Sequence, residues 1–286
     1  MSNMVVRTNT LALNAHRNLG NVGTQQARAS ARLSSGFRIN SAADDAAGLA
    51  ISEGMRSQIR GLNQASRNAQ DAISLVQTAE GGLSTIGEMT QRVRELVVQA
   101  SNDTYTGDAA GSNRELIQVE IDQLLEEISA TANRVQFNTK NLLNGSIVGD
   151  LHMQVGANSN QGITIQMPDI ITDVHAALDG IVGSDAVADA ATGATTQAFI
   201  DQIDTVLTAV NTARANLGAV QNRLEFTIDN LDIASENLSA SESRIRDADM
   251  AKEMMRLTQA NVLQQAATAM LAQANQAPQS ILQLVG

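Results

Sequence analysis

A mainly α-helical fold is predicted: a long antiparallel helical bundle with coiled-coil packing, paired N- and C-terminal helices and one small β-hairpin insert. Three observations carry that reading. First, residues 203–248 place Ile203, Val210, Leu217, Leu224, Leu231, Leu238 and Ile245 at seven-residue intervals. Three residues after each lies a smaller one: Val206, Ala213, Val220, Thr227, Ala234, Ser241 and Ala248. This 3.5-residue spacing is that of helices packed side by side with a left-handed twist, and at about 1.5 Å per residue the helix runs roughly 70 Å. A lone helix cannot cover such a seam, so other long helices lie against it. Second, hydrophobic residues make up 43% of the 286 residues but aromatics only 2%. The core is therefore Leu, Ile, Val, Met and Ala, which suits close helix packing and fits an aromatic-lined ligand pocket poorly. Third, Pro168 and Pro278 are the only prolines, so long helices are permitted nearly everywhere.

In chain order, residues 1–34 carry a thin apolar stripe, Met4, Leu11, Ala15, Leu19, Val22, Ala29 and Leu33, opposite Arg7, Asn14, Arg17, Gln25 and Arg28. Alone in water such a helix is marginal. Ser35-Gly36 signals a turn, and Ser41 with Asp44 resembles a capping box in which Asp replaces Glu. Helix resumes over 45–100 through Met55, Ile59, Leu62, Ala69, Ile73, Val76, Leu83, Ile86, Val93 and Leu96, with Gly81, Gly82 and Gly87 expected to soften its middle. After a loop at 101–111, Ser112 and Glu115 form a capping box for a helix through Ile117, Ile121, Leu124, Ile128 and Val135 that ends near Asn138. The period then falls to two. Leu151, Met153, Val155 and Ile163, Ile165, Met167 flank a loop at 156–162 and read as a hairpin. Residues 168–199 are small, acidic and weakly patterned, with a short helix near Val174 to Leu178. Beyond the heptad helix, 246–249 mark a joint. The last stripe runs Met250, Met254, Leu257, Ala260, Leu263, Ala267, Met270, Ala274, Ala277, Ile281 and Leu284, with Pro278 expected to break the helix bonding.

The first and last stripes can pair antiparallel, and three regions follow. Residues 1–44 with 247–286 make a terminal helical domain; 45–145 with 199–246 make a long bundle; 146–198 make a short variable insert holding the hairpin. Apolar stripes at both termini, carried by Leu11, Leu19, Val22, Leu33, Leu257, Leu263, Met270, Ile281 and Leu284, are a liability in a monomer and an interface in an array. A head-to-tail contact that does not close builds a helical polymer.

Several function classes fit poorly. A net charge of −11 and a pI near 4.7 speak against a broad nucleic-acid surface. The absence of Cys excludes disulfides and thiolate metal sites. Residues 1–18 lack the apolar core of a signal peptide, and no apolar run approaches the roughly 20 residues of a membrane span. His16, His152 and His175 fall on different elements without ligand spacing. No phosphate-cradling glycine loop occurs and no cofactor is implied. Asp44-Asp45 reads as helix-start chemistry and Glu126-Glu127 as a solvated face, so no catalytic site is predicted.

The motifs are more specific than the pattern. Arg32 to Ala42 reads RLSSGFRINSA, followed by Asp44-Asp45-Ala46-Ala47-Gly48, then GLNQASRNA at 61–69, QRVREL at 91–96 and Gln136-Phe137-Asn138. The second half has LGAVQNR at 217–223, Ser243-Arg244-Ile245 and LAQANQ at 271–276. In this order they closely resemble bacterial flagellin over roughly 4–145 and 200–285. The sequence is identified as a short flagellin without large outer domains. The resemblance implies a self-assembling filament subunit of the bacterial flagellum. The terminal domain would line an inner tube, the bundle would form an outer one, and the filament would lie outside the cell. It also implies export without a cleaved signal peptide through the flagellar type III apparatus, a flagellar export chaperone, a filament cap protein and hook–filament junction proteins as partners. Gln91, Arg92, Glu95, Leu96 and Gln99 match the stretch through which flagellins meet a vertebrate toll-like receptor. Ser184, Thr192, Thr195 and Thr196 are candidate O-glycosylation sites, since flagellins carry glycans in the variable region. Two other readings remain: a hook–filament junction protein, which shares terminal motifs, and a soluble helical signalling protein, which shares the heptads but not the hairpin or the amphipathic termini.

Overall fold

A computed structural model describes residues 9–102, 113–147, 150–172, 174 and 193–285, with side chains outside 193–197 and 277–285. Five helices carry the fold: α1 Thr10–Ser35, α2 Ala46–Ala100, α3 Asn113–Arg134, α4 Gly193–Arg246 and α5 Met250–Val285. Two antiparallel hairpins accompany them, β1 Gln136–Phe137 with β2 Lys140–Asn141, and β3 Leu151–Gln154 with β4 Gly162–Ile165. The chain divides into two compact units, Met1–Ile59 with Glu236–Gly286, and Arg60–Ser235.

The second unit holds one continuous apolar core. From α4 it takes Ile203, Val206, Val210, Leu217 and Leu224, so the predicted heptad column is the buried face over this stretch; Leu231 is buried as well, whereas Leu238 and Ile245 are half-buried. From α2 it takes Ala69, Ala72, Leu75, Val76, Ala79, Leu83, Ile86, Val93, Leu96 and Val97, and from α3 Ile117, Ile121, Leu125, Ile128 and Ala132. Helices α2 and α4 run antiparallel: Arg94 forks onto Asp204 (2.6 and 3.4 Å), Arg214 reaches Glu80 at 3.3 Å, and Ser235 donates to Asn63 at 3.0 Å. Helix α3 returns along α2, its buried Arg114 donating to the carbonyl of Ala100 at the end of α2 (3.1 Å) and so satisfying a helix-end acceptor.

The β3–β4 hairpin forms where the period fell to two. Leu151 pairs with Ile165 and Met153 with Ile163, which turns Ile163 and Ile165 into the core. Gln154 and Gln161 then fill the connecting loop, Gln154 donating to the carbonyls of Gly156 and Asn158 and Gln161 accepting from the Asn158 N–H.

Several boundaries differ from expectation. The three glycines do not break α2, which is helical over all 55 residues. Gly82 is instead a close-approach point: a Cβ there would stand 2.6 Å from Val135 Cγ2. Helix α3 stops at Arg134 rather than near Asn138, because Asn138 and Thr139 take positive φ (48° and 65°) and turn the chain into the β1–β2 hairpin. Helix α2 is capped by Asp45, whose carboxylate accepts from the Gly48 N–H at 2.9 Å, while Asp44 reaches back to the N–H groups of Asn40 and Ser41. Only half of the expected box forms, since Asp44 accepts from the Ser41 N–H and hydroxyl while its own N–H goes to the Ser41 carbonyl, and the helix begins at Ala46, four residues later than a box with Ser41 at its cap would start it. Pro278 does not end α5, which is helical to Val285. Residues 170–172 and 174 are helical, slightly earlier than the short helix expected there; 175–178, Ser112 and Met4 lie outside the described residues.

Leu224→Ala opens a cavity at a fully buried seam position and should cost about 2–5 kcal/mol. Ile233→Ala, on the exposed face of the same helix, should stay within about 0.5 kcal/mol. Denaturant unfolding of both variants checks the seam assignment, and equal losses would refute it.

Candidate assembly surfaces

Helices α1 and α5 pair antiparallel within the first unit. Gln26 donates to Asn261 at 2.8 Å near the middle. Arg32 meets Glu253 at 3.4 Å towards one end, and Asn9 donates to the carbonyl of Ala274 at 2.7 Å at the other. The seam between them combines alanines with half-buried aliphatic side chains. Ala29 and Ala260 are buried, and Ala15, Leu19, Val22, Leu33, Leu257, Ala267 and Ala274 are half-buried. Of the larger members of the predicted stripes, Leu19, Leu33 and Leu257 are partly covered, while Leu11 (67% exposed), Met270 (64%) and Leu263 remain outside. Met250, Met254, Met255 and Val262 are likewise exposed. Sequence reasoning missed Leu13, Met255 and Val262. Their signal was apolar residues on more than one face of a helix, which a single stripe cannot account for. Helix α5 continues through Ile281 and Leu284, whose side chains lie outside the described residues.

The linker between α1 and α2 is zipped to the one between α4 and α5. Gly36, at φ 76°, ends α1 in the left-handed conformation that glycine adopts without strain. Phe37 then bridges Asp247: Arg38 N–H donates to the Arg246 carbonyl at 2.6 Å and Ala248 N–H to the Gly36 carbonyl at 2.9 Å. The Arg246 guanidinium lies 4.7 Å from the Phe37 ring centre and donates to Glu53 at 2.6 Å. Arg38 adds a bond to the Ile245 carbonyl. On the other side Arg32 stands between Asp44 (3.8 Å) and Glu253, which Arg256 also reaches at 2.6 Å. Glu253 is buried, and its second carboxylate oxygen has no hydrogen-bond partner among the described residues. The hydrogen bond from Arg246 holds the Glu53 carboxyl below its ordinary value, and backbone N–H donation from Asn40 does the same for Asp44.

On the second unit, Gln91, Arg92, Glu95 and Gln99 are exposed on α2. Arg92 donates to Glu120 of α3 at 2.9 and 3.1 Å and to Glu95 at 3.2 Å. Leu96 corrects the expectation: it is 2% exposed and belongs to the core, so it supports this face from beneath instead of presenting a side chain on it. Within this unit the large apolar residues that do surface on α2 and α3 are Val98, Leu116 and Val119, which fall out of phase with the core stripe. Phe226 of α4, 76% exposed, borders a groove of about 870 Å³ between the β3–β4 hairpin and α4. Of the glycosylation candidates, Ser184 and Thr192 are outside the described residues, and Thr195 and Thr196 lie in the first turn of α4. Among the described residues no cluster of three metal-ligating side chains occurs and no helix is long and apolar enough to cross a membrane.

A helical chain whose first and last segments pair while their large apolar residues stay exposed is built to be covered by something else. Comparison with known proteins gives the class. The bacterial flagellin N-terminal helical region matches residues 6–147, and the bacterial flagellin C-terminal helical region matches residues 200–285. A flagellin of Halalkalibacterium halodurans is 52% identical over 284 residues, covering 99% of this chain and all of the relative. One of Bacillus subtilis is 47% identical over 305 aligned positions with the same coverage. Among solved structures, a putative flagellar hook-associated protein from Vibrio parahaemolyticus superposes with a TM-score of 0.56 at 14% identity, over 71% of this chain and all of its own, a likeness of fold alone. The chain belongs to the bacterial flagellins, structural subunits of the extracellular flagellar filament.

The zipped linkers predict an acid response. Glu53 and Asp44 have native pKa values below their ordinary 4.5 and 3.8, so the native state binds fewer protons than the unfolded one. Their contribution is complete above those ordinary values and is lost as pH falls through them to the depressed ones. Amide exchange at 36–39 and 246–249 should accelerate below about pH 4.5 relative to the α2–α4 core, and Glu53→Gln should flatten that dependence.

Proposed function

We propose that the chain polymerises through the exposed apolar residues of α1 and α5, with residues 1–44 and 247–286 forming the inner tube of the filament and 45–145 with 199–246 the outer one. The observation that carries this reading is what the α1–α5 pairing leaves uncovered: alanines and a few half-buried aliphatics meet between the helices, while Leu11, Leu13, Met254, Met255, Leu263 and Met270 stay exposed. An exposed apolar face of this extent on paired helices favours association, and repeated heterologous contacts give an open helical polymer. Family membership supports the same partners as the motifs do: a flagellar export chaperone that covers this face before assembly, a filament cap protein at the growing end and hook–filament junction proteins at the base. It also supports export through the flagellar type III apparatus without a cleaved signal peptide.

Seeded polymerisation tests the assembly reading. Full-length monomer added to short seeds should form long filaments by electron microscopy. A chain trimmed to 45–246 should form none, and Met254→Asp should slow elongation without changing the unfolding of the α2–α4 core. Filaments from the trimmed chain would sink the assignment of the terminal faces.

The exposed Arg92 face supports a second role, recognition by the vertebrate toll-like receptor that senses flagellin, through Gln91, Arg92, Glu95 and Gln99. Arg92 is held upright between Glu120 and Glu95, which presents a pre-set charged surface. Arg92→Ala should weaken receptor binding by the monomer about tenfold or more, the effect of a well-placed charged contact, while leaving polymerisation intact. Unchanged binding by surface plasmon resonance would remove the receptor assignment.

A further inference from the structure

Helix α5 contains one backbone acceptor unlike its neighbours. Pro278 lies within the helix and has no N–H, so the carbonyl four residues earlier, that of Ala274, loses its intrahelical donor. Asn9 Nδ2 donates to that oxygen at 2.7 Å, across 265 residues of sequence. The other end of the same amide, Asn9 Oδ1, accepts from the Ala12 N–H at 3.0 Å and caps α1. One side chain therefore closes the start of α1 and the gap that proline opens in α5.

The zipped linkers and the Arg32–Glu253 pair align α1 with α5 at one end, but beyond them the seam does little to hold the same register as far as Asn9. Only Ala29 and Ala260 are fully buried in it, and the residues between them and Asn9, Ala15, Leu19, Val22, Ala267 and Ala274, are half-buried, so a one-turn slip there changes little packing. The Gln26–Asn261 bond is exposed, and Gln264, Gln265, Gln273 and Asn275 offer substitute partners along α5. The Ala274 carbonyl has no such substitute, since Pro278 is the only proline in α5.

We propose that Asn9 sets the register at the far end of the terminal helix pair, recognising the carbonyl freed by Pro278 and thereby fixing the start of α1 against α5 in the assembled subunit. Pro278 in this account marks a position and does not terminate a helix. The proposal rests on the filament reading for its biological setting.

The test uses four full-length proteins: wild type, Asn9→Asp, Pro278→Ala and the double variant. Aspartate caps a helix about as well as asparagine but cannot donate. Alanine at 278 returns the N–H that satisfies the Ala274 carbonyl from within the helix. Two readouts are taken on seeded filaments, the midpoint of thermal depolymerisation and amide exchange over residues 12–20. Asn9→Asp should lower the midpoint and speed exchange about three- to tenfold, the range for one lost hydrogen bond. In the Pro278→Ala background the same change should move both readouts less than about twofold. An equal effect in both backgrounds would show that the loss does not depend on the carbonyl freed by Pro278 and would overturn the pairing, as would no effect in either. If wild type fails to polymerise, the filament reading falls. The exchange comparison on monomers then judges the Asn9–Pro278 pairing separately.

Discussion

The burial of the α4 heptad column against α2 is the contact on which the larger unit depends. Ile203, Val206, Val210, Leu217 and Leu224 face α2 and α3 with their side chains removed from water, each contributing about 1.5–3 kcal/mol when fully buried. The ion pairs flanking this seam, Arg94–Asp204 and Arg214–Glu80, are about half exposed and contribute about 0–1 kcal/mol apiece. The column supplies the stability and the pairs specify direction, since they match only in the antiparallel alignment. Once α4 is placed, α3 and the β3–β4 hairpin have a surface to cover, and their own apolar residues are too few to form a core without it.

The terminal helices solve the opposite problem. Their mutual seam is made of alanines and half-buried aliphatics, so little apolar surface is removed from water by the pairing itself. Polar links at Asn9, Gln26 and Arg32 fix the geometry instead, and the larger side chains are left facing outward. A well-packed pair would satisfy itself and have nothing to offer a neighbour. The same sequence economy that leaves α1 and α5 with a thin mutual seam leaves large apolar side chains of both exposed.

Much of this was legible in the residues, for identifiable physical reasons. The α4 column showed because a seven-residue spacing kept from Ile203 to Ile245 matches the seam of side-by-side helices and little else. The β3–β4 hairpin showed because Leu151-His152-Met153 and Ile163-Thr164-Ile165 alternate cleanly. The β1–β2 hairpin did not, because two-residue strands carry no period and the positive φ of Asn138 and Thr139 is a property of the turn, not of a motif. Gly82 and Pro278 were misread in the same way: each was weighed for its effect on its own helix, while its role is set by a group distant in sequence, Val135 in one case and Asn9 in the other. Leu96 was drawn into the surface patch by its motif, although its helical spacing from Val93 placed it inside. The exposed Val98, Leu116 and Val119 were legible as apolar residues out of phase with the stripe, a signal that a single buried face does not capture.

The zipped linkers and the α1–α5 pair carry a consequence for the order of events when the chain folds. Their contacts join residues 193 to 265 positions apart, whereas the contacts between α2 and α3 span loops of 14 to 28. Closing a long loop costs more chain entropy than closing a short one, and structures dominated by distant contacts form late. The α2–α3 hairpin can therefore assemble while the terminal helices are still apart, and the α1–α5 pair joins last. A subunit travelling as an open chain would arrive with its sticky ends the final part to close, at the moment when neighbours already in place can take part in closing them.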